Sequence, residues 1–290
     1  MNIGFIGFGT MGLPMAGHLM QAGHALHVWS RRAASVDSLV ERGALRCVTP
    51  LAVAAACDIV CTNVTASADV EVLAAAMTPG FAPGAIHVDF STIAPSAARR
   101  IAAMYAGVGV EFVDAPVSGG GLGARNATLA IMWGGKAVLA SRLAPLFALL
   151  GKTVVHVGET GAGQVAKACN QMVMVAAIEA CAEAARLAAG AGVDFAKVRT
   201  AMLGGSAGSR VLDVFGGRMV ARDFAAGVEA RLHHKDYALL MDEAARLGAT
   251  LPVTAAVWQQ LNALMGLGMG STDTSSLLKV LESGGNQAAR

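Results

Sequence analysis

Residues 2–12 of the chain read NIGFIGFGTMG, and this segment indicates the fold of the first half. It opens as a short apolar strand, continues with Gly7, Gly9 and Gly12 in the spacing G-x-G-x-x-G, and leads into a helical pattern over Leu13–Gln21. In this context the first glycine allows a tight turn, the second lets a pyrophosphate approach the backbone, and the third lets the helix pack on the strand. The start of the helix offers free N–H groups to the phosphates. Because the chain has 35 glycines, the strand before the motif and the helix after it carry the prediction of a dinucleotide site.

The composition is that of a folded chain with a large core. Of its 290 residues, 54% are hydrophobic and 14% are charged, which excludes a disordered chain and suggests two domains. The formal net charge is +2 without a basic run, so we expect no nucleic-acid partner. Met1–Ala16 lacks the basic start of a signal peptide. Ala168–Ala191 is the most membrane-like stretch, but its charged residues indicate a buried helix, and we expect no membrane partner.

The cysteines and histidines show no spacing typical of metal ligands, so we predict no metal site. The five cysteines are odd in number, and we expect them to be reduced, buried thiols of a cytoplasmic protein. The pair His233-His234 either lines a cleft or, as the pattern favours, lies partly exposed on a helix.

Strands and helices alternate in the first half, which predicts a parallel sheet covered by helices on both faces, a doubly wound α/β domain. The predicted strands are Asn2–Ile6, Ala25–Trp29, Ile59–Cys61, Ile86–Asp89, Glu111–Ala115, Leu129–Trp133 and Thr153–Val157. The predicted helices are Pro14–Gln21, Val36–Arg42, Ala68–Ala76 and Pro95–Ala106.

The second half contains only helical patterns, which begin with a long helix over about 164–189. We therefore place a boundary near 160, with a dinucleotide-binding Rossmann domain over 1–160 and an all-helical domain for substrate binding and oligomerisation over 161–290. A helix of this length is better buried against a second subunit. The shorter predicted helices are Asp194–Met202, Val211–Met219, His233–Leu247, Thr254–Met265 and Thr274–Glu282.

The end of the second predicted strand distinguishes the two nicotinamide cofactors. An acidic residue there would accept a hydrogen bond from the ribose 2′-OH of NAD, but this strand ends in Trp29 followed by Ser30, Arg31 and Arg32. A planar guanidinium suits the 2′-phosphate of NADP. We therefore expect NADP (NADPH) as the cofactor and NAD as a weaker one. The alternative is a pair of solvated surface arginines.

Polar residues follow three further strands, at the edge where ligands bind in a doubly wound sheet. Asn63 and Val64 either line the ribose or nicotinamide or belong to an ordinary loop. Ser91 and Thr92 precede a proline-initiated helix, where they contact a ligand, cap the helix, or both. In Ser118–Gly121, a hydroxyl and backbone N–H groups suit a small carboxylate, and turn chemistry is the alternative.

Lys167 is the candidate for proton transfer. It lies on the predicted long helix among apolar neighbours, and Asn170 follows one turn later on the same face. A lysine in an apolar wall would have a lowered pKa and could exchange a proton near neutrality. The residues alone favour the alternative, a surface lysine whose ammonium group reaches solvent.

In combination, these motifs resemble the β-hydroxyacid dehydrogenases, the family of 3-hydroxyisobutyrate dehydrogenase, tartronate semialdehyde (2-hydroxy-3-oxopropionate) reductase and glyoxylate/succinic semialdehyde reductase. The resemblance covers almost the whole chain. It rests on five motifs in order, Gly7–Ala16, Asp89–Thr92, Asp114–Gly120, Gly161–Gln171 and Lys235-Asp236. It implies a Rossmann domain followed by a helical domain built on one long helix, assembled as a homodimer or homotetramer.

The resemblance also implies how the substrate is held and converted. Lys167 corresponds to the catalytic lysine, which favours the functional interpretation of this residue, and Asn170 corresponds to its amide partner. Ser118, Gly119 and Gly120 correspond to the loop that binds the substrate carboxylate. The implied reaction interconverts a small carboxylate-bearing aldehyde and its hydroxy acid, with the lysine as general acid and base.

Further residues are implied as cofactor and substrate contacts. Thr92 corresponds to a residue that touches both nicotinamide and substrate. From the helical domain, Lys235 and Asp236 correspond to the lid of the cleft, the lysine on the cofactor and the aspartate on the substrate. Thr10 and Met11 correspond to cofactor contacts in the glycine turn.

Several short segments indicate which substrate of the family the chain would use. The segment 204–213 and the pair Asn170-Gln171 most resemble tartronate semialdehyde reductases, whereas Ala124-Arg125 resembles the 3-hydroxyisobutyrate branch. Two positions depart from the family pattern, Val228 in place of a frequent aromatic residue and Ala127 in place of a usual glycine. The first would enlarge or reshape the pocket. We expect tartronate semialdehyde as substrate, with 3-hydroxyisobutyrate and glyoxylate or succinic semialdehyde as alternatives.

Two other functions are compatible with a similar architecture. Imine reductases resemble it but generally lack the lysine, so Lys167 argues against imine reduction. A non-catalytic NADP-binding module would be favoured by loss of Lys167 or by an appended basic domain, and the sequence shows neither.

Overall fold

A single sheet organises Met1–Lys167, the first of two units in the computed structural model, which describes residues 1–285. The strands in that range run in the order β3-β2-β1-β4-β5-β6-β8-β7, with β9 paired to β8. They are β1 (Asn2–Ile6), β2 (Ala25–Trp29), β3 (Leu45–Arg46), β4 (Ile59–Thr62), β5 (Ile86–Asp89), β6 (Glu111–Asp114), β7 (Val117–Ser118), β8 (Leu129–Gly134) and β9 (Gly151–Gly158). The order 3-2-1-4-5-6 is that of dinucleotide-binding Rossmann sheets, as predicted.

The sheet is not parallel throughout, so the prediction of a parallel sheet is wrong at one edge. Strands β1 to β6 are parallel, but β8 runs antiparallel to β6 and β7, and β9 runs parallel to β8. The chain turns back between β7 and β8 within residues 119–128. A parallel pair needs a crossover of a dozen residues or more, whereas a shorter connection favours an antiparallel pair.

Helices cover both faces of this sheet. Neighbouring residues of one strand point to opposite faces, and Phe5 and Ile6 accordingly belong to two separate apolar cores. The helices are α1 (Gly12–Gln21), α2 (Asp37–Val40), α3 (Pro50–Ala56), α4 (Ser67–Met77), α5 (Pro95–Ala106), α6 (Gly120–Arg125) and α7 (Ala140–Ala148). The helix predicted over Val36–Arg42 is shorter, because Ala33–Val36 form a 3₁₀ turn before α2. Helices α3, α6 and α7 were not predicted.

The second unit begins at Ala168 and is helical, which confirms the predicted fold class. Its first helix, α8 (Ala162–Gly190), starts in the first unit and is longer than the predicted range 164–189. The others are α9 (Phe195–Leu203), α10 (Gly217–Ala221) after a π-helical turn Leu212–Gly216, α11 (Ala230–Leu247), α12 (Pro252–Gly266) and α13 (Leu277–Gly285). Their apolar faces form one core around Tyr237 and Leu261, both fully buried. That 161–290 serve substrate binding and oligomerisation stays a prediction.

Several side chains differ in exposure from the expectation. All five cysteines are free, but Cys47 is half-buried and Cys169 is exposed on α8, so the expectation of buried thiols is wrong for these two residues. His233 is buried and bonded to the Thr274 hydroxyl at 2.6 Å, so it is not a partly exposed helix histidine. His234 is half-buried and stacks on Trp258 with ring centroids 4.5 Å apart. No helix among the described residues is long and apolar enough to cross a membrane.

Candidate active site

The turn between β1 and α1 has the geometry that the glycine motif requires. Gly7 has φ +104°, and a Cβ atom on it would lie 2.1 Å from the Asn63 carbonyl oxygen. A Cβ on Gly12 would lie 1.9 Å from the Gly7 carbonyl oxygen, so only glycine lets α1 approach the turn. A Cβ on Gly9 would meet no described atom within 4 Å. The exposed Gly9 and Thr10 therefore leave the start of α1 open to a ligand.

The residues that follow β2 are accessible for a phosphate group. Arg31 and Arg32 are exposed, and Ser30 accepts a 3.3 Å hydrogen bond from the backbone N–H of Arg32. The Arg31 guanidinium lies 3.5 Å from the Asp69 carboxylate, and its side chain is 79% exposed. A surface ion pair of this kind is worth about 1 kcal/mol or less, so the carboxylate is a weak competitor for an anion.

Three polar side chains lie in register at the ends of neighbouring strands. Thr62 on β4 is paired with Asp89 on β5, which is paired with Asp114 on β6. All three are fully buried. The carboxyl ends of three parallel strands therefore bring two carboxylates and a hydroxyl to one edge of the sheet, from which the loops with the predicted site residues depart.

Asp89 joins two of these loops. One oxygen of its carboxylate, Oδ1, accepts hydrogen bonds from the Thr62 hydroxyl at 2.7 Å and from the Ser91 hydroxyl at 2.6 Å. The Ser91 oxygen in turn accepts the backbone N–H of Val64 at 2.8 Å. Ser91 is only 2% exposed, and Ala94 occupies the N-cap position of α5, so the interpretation of Ser91 as a helix cap is wrong. Its hydroxyl links the loop of Asn63 and Val64 to that of Thr92.

A buried histidine continues this network into the core. His87 Nε2 lies 2.8 Å from the Thr62 hydroxyl, and Nδ1 lies 3.0 Å from the Tyr105 hydroxyl. Burial lowers the pKa of His87 to about 3, so the imidazole is neutral at physiological pH. A tautomer with hydrogen on Nε2 lets Tyr105 donate to His87, His87 to Thr62, and Thr62 to Asp89.

The Ser118 loop follows β7. Ser118 is half-buried and pairs with Ala130 of β8, while Gly119 is exposed. Gly119 and Gly120 have φ values of +137° and +60°, in the region that favours glycine. These backbone conformations turn the chain from β7 directly into α6.

The side chain of Lys167 reaches this loop from α8. Lys167 is 7% exposed, and its Nζ donates a 2.8 Å hydrogen bond to the carbonyl oxygen of Val117, the residue before Ser118. It is therefore not the surface lysine that the residues alone favoured. The first unit thus brings together two predicted site residues from distant parts of the sequence.

The start of α8 is fixed by two residues that were not predicted as site residues. The Asp114 carboxylate accepts the backbone N–H of Gly161 at 2.6 Å and that of Gln164 at 2.9 Å. The Gln164 side chain accepts the N–H of Ile93 at 3.0 Å and donates to the carbonyl oxygen of Ser91 at 2.8 Å. Burial raises the pKa of Asp114 to about 7, against the backbone N–H bonds from Gly161, Gln164 and Asp114 itself that lower it, and the charge of Asp89 raises it further.

The second unit gathers its own predicted site residues. Asp236 forms an ion pair with Lys235 at 3.0 Å and accepts a 2.6 Å hydrogen bond from the Gln171 amide. Asn170 donates to the Gln171 oxygen at 2.8 Å. Asn170, Lys235 and Asp236 are thus linked through Gln171, which was not predicted and is 3% exposed.

The sequence does mark the four buried polar residues that were not predicted as site residues. Asp89 and Asp114 both end an apolar strand, and acidic residues are rarely fully buried unless they are bonded. Gln164 and Gln171 lie on an Ala-rich helix at positions that the periodicity buries. A polar residue in a predicted buried position indicates a specific hydrogen-bond partner, but the pattern does not name that partner.

The fold and the site together define the class of nicotinamide-dependent dehydrogenases and reductases, in which a glycine turn lies beside a sheet edge lined with polar groups. Residues 2–158 match the family described as the NAD binding domain of 6-phosphogluconate dehydrogenase. Residues 161–281 match that described as NAD-binding of NADP-dependent 3-hydroxyisobutyrate dehydrogenase. The chain belongs to the β-hydroxyacid dehydrogenase family and is an NAD(P)-dependent enzyme that acts on CH–OH groups.

Individual relatives cover nearly the whole chain. The chain is 40% identical to a 2-hydroxy-3-oxopropionate reductase of Escherichia coli (strain K12), with 97% of each covered. It is 34% identical to an NAD-dependent L-serine dehydrogenase of Pseudomonas aeruginosa, with 97% of this chain and 98% of the relative covered. The structure of Mycobacterium tuberculosis 3-hydroxyisobutyrate dehydrogenase with L-serine is 29% identical and superposes with a TM-score of 0.91, covering 97% of this chain and 98% of that one.

Proposed function

We propose that the protein is an NADPH-preferring reductase that interconverts tartronate semialdehyde (2-hydroxy-3-oxopropionate) and the corresponding 3-hydroxy acid, with Lys167 as general acid and base. The observation that carries the proposal is the buried Lys167 ammonium on the Val117 carbonyl, next to Ser118. The relative that is 40% identical bears the name of this activity. Relatives named for L-serine and 3-hydroxyisobutyrate also take three-carbon-chain hydroxy acids.

The residues of the first unit fit a dinucleotide. The space in front of Gly9, which a Cβ atom would enter, is open to a ligand. It supports binding of a pyrophosphate by Gly7, Gly9, Thr10, Met11 and Gly12. When bound, the nicotinamide supplies or accepts the hydride.

Other residues would complete the cofactor site. Arg31 and Arg32, with Ser30, present guanidinium and hydroxyl groups for a 2′-phosphate, which supports NADP over NAD. Asn63 and Val64 would line the ribose, and the Ser91 hydroxyl that binds the Val64 N–H holds that loop in place. Thr92 and Lys235 are the remaining proposed cofactor contacts.

The proposed proton transfer takes place between Lys167 and the substrate oxygen. Ser118, Gly119 and Gly120 hold the carboxylate of the aldehyde acid, and Thr92 and Asp236 contact the substrate. As hydride reaches the aldehyde carbon, the Lys167 ammonium donates a proton to the carbonyl oxygen, which becomes the hydroxyl group. In oxidation the neutral amine takes that proton back. Asn170 orients the substrate oxygen beside the lysine. Aldehyde, NADPH and one proton thus give hydroxy acid and NADP⁺.

The surface of α8 supports assembly of the chain into a homo-oligomer. Exposed apolar side chains lie along the long helix α8, among them Val173 at 67% and Leu187 at 76% exposure. Such a stripe supports burial against a second copy of the chain in a homodimer or homotetramer. We further propose a cytoplasmic location.

Initial rates of NADPH and NADH oxidation test the proposal, measured separately with tartronate semialdehyde, methylmalonate semialdehyde, glyoxylate and succinic semialdehyde. We expect the highest kcat/KM for tartronate semialdehyde with NADPH. A clear preference for methylmalonate semialdehyde would assign the chain to the 3-hydroxyisobutyrate branch. Cofactor binding without turnover of any aldehyde would contradict the proposed reaction.

A further inference from the structure

We propose that Asp114 is a positioning residue for Lys167, acting through the first turn of α8 with Gln164 as its second anchor. The proposal rests on the function proposed above, since it assigns Asp114 a role only if Lys167 transfers the proton. Asp114 ends β6 and its carboxylate touches α8, whereas the carbonyl that receives the Lys167 ammonium belongs to Val117, three residues later. One short segment therefore binds both the first turn of the helix that carries Lys167 and the side-chain nitrogen of the lysine itself.

The carboxylate of Asp114 caps α8 from a distant strand. Gly161 directly precedes the helix, and Gln164 is its third residue, so Asp114 binds the two N–H groups that a local capping box would satisfy. The N-terminal end of a helix carries a partial positive charge, which, with the two N–H bonds, favours the ionised form of the Asp114 carboxyl against the burial that raises its pKa. Both oxygens are used, at 2.6 and 2.9 Å, so the helix can neither rotate nor slide without breaking one bond.

Backbone packing fixes the same turn. A Cβ atom on Gly163 would lie 2.5 Å from the Asp114 carbonyl oxygen and 2.6 Å from that of Met132. A Cβ on Gly134 would lie 2.8 Å from the Gly163 nitrogen. The helix therefore starts in direct backbone contact with the ends of β6 and β8. This close packing leaves no space into which the first turn of α8 could shift.

Gln164 connects this turn to the loop after β5. It lies one helical turn before Lys167, so both side chains project on the same side of α8. Its amide binds the backbone of Ser91 and Ile93, on either side of Thr92. The first turn of α8 thus sets the position of Lys167 relative to two loops, the one with Thr92 and the one with Ser118.

Asparagine at position 114 is the informative replacement. Its oxygen accepts one N–H group, while its NH₂ group cannot accept the other and faces it as a second donor. We expect the start of α8 to shift or loosen while the sheet stays folded. Small errors in the placement of a proton donor lower the rate strongly, so we expect kcat to fall roughly 10–100-fold with little change in the KM for NADPH.

The test combines Asp114→Asn with Lys167→Ala. In the wild-type background Asp114→Asn lowers kcat, but in the Lys167→Ala background it has less than about a twofold further effect, because both changes remove the same contribution. The matched control is Asp194→Asn. Asp194 caps α9 with one oxygen that accepts the Ala196 N–H, which asparagine can retain, so kcat stays unchanged. Hydrogen exchange of a peptide spanning 159–166 reports the loosened turn independently of activity.

Equal losses in the two backgrounds would overturn the positioning role, since a merely structural defect acts whether or not Lys167 is present. Unchanged exchange at 159–166 together with unchanged kcat would also overturn it. Failure of the proposed function gives a different result, in which Lys167→Ala alone retains near-normal turnover.

Discussion

Lys167 and Val117 are joined by a 2.8 Å hydrogen bond from the lysine ammonium to the backbone carbonyl, although 50 residues separate them in the sequence. The bond holds the Lys167 side chain in a buried position beside the Ser118 loop. A buried ammonium is costly unless it is bonded, so such a site is a candidate for chemistry rather than for packing.

Replacing both arginines after β2 with serine is expected to change cofactor choice. A charged hydrogen bond is worth about 1.5–3 kcal/mol, so loss of a single contact to a 2′-phosphate raises the KM for NADPH roughly 10–100-fold, and loss of contacts from both arginines raises it further. The KM for NADH changes little, because NADH has no such phosphate. Arg246→Ser, which affects a surface pair with Glu243 on α11, is the control. Parallel increases of both KM values in the Arg31→Ser/Arg32→Ser variant would count against recognition of the phosphate.

Ala127→Gly is expected to stabilise the protein by about 1 kcal/mol. Ala127 has φ +53° at the end of α6, where the N–H of Thr128 bonds to the carbonyl of Gly123 and that of Ala127 to Ala124. This is a Schellman motif, whose left-handed position favours glycine. The geometry explains why a glycine is usual there in the family.

The free energy of unfolding in urea measures this effect. Ala75→Gly, at an exposed interior position of α4, is the control and should destabilise by about 1 kcal/mol. If Ala127→Gly destabilised the protein as the control does, residue 127 would not occupy the left-handed conformation.

Glu179→Met is expected to stabilise the protein increasingly as pH rises. Glu179 is 5% exposed on α8, and neither carboxylate oxygen has a hydrogen-bond partner among the described residues. Burial, with the charge of Glu183, raises its pKa from 4.5 to about 7. Because the folded-state pKa is raised, the stability that the neutral carboxyl contributes is present below about pH 4.5 and is lost as pH rises through 7.

Unfolding measured at pH 5 and at pH 8 separates this effect from simple packing. The shift corresponds to about 3 kcal/mol at most, so the variant gains up to that amount at pH 8 and much less at pH 5. Asp242→Asn, at an exposed position of α11, changes stability little at either pH. An equal gain at both pH values would show that the Glu179 carboxyl does not titrate as described.

The strands around the glycine turn could be predicted from sequence because local patterns specify them. Strands β1, β2 and β5 have the predicted limits, since each is a short apolar run bounded by turn residues. The direction of β8 could not be predicted in this way, because an apolar strand looks the same in a parallel and an antiparallel pair. Helices such as α3 were missed because a seven-residue Ala-rich segment carries little periodicity.

The residues of the candidate site likewise fall into those that local sequence patterns identify and those that depend on long-range contacts. Gly7, Gly9 and Gly12 are recognisable because their roles depend on neighbours within a few residues. Asp114 acts on groups 47 and 50 residues away in the sequence, so its partners emerge only when β6 and α8 are folded together. The buried polar residue is visible in the sequence, but its function depends on long-range geometry.

Single-turnover reduction of tartronate semialdehyde by NADPH in Lys167→Ala, with NADPH affinity measured by fluorescence on the same sample, tests directly whether Lys167 is the proton donor. We expect the rate to fall roughly 10²–10⁴-fold, the range of general acid–base catalysis, while the Kd for NADPH stays within about twofold. Near-normal turnover in this variant would contradict the assignment of Lys167 as the proton donor.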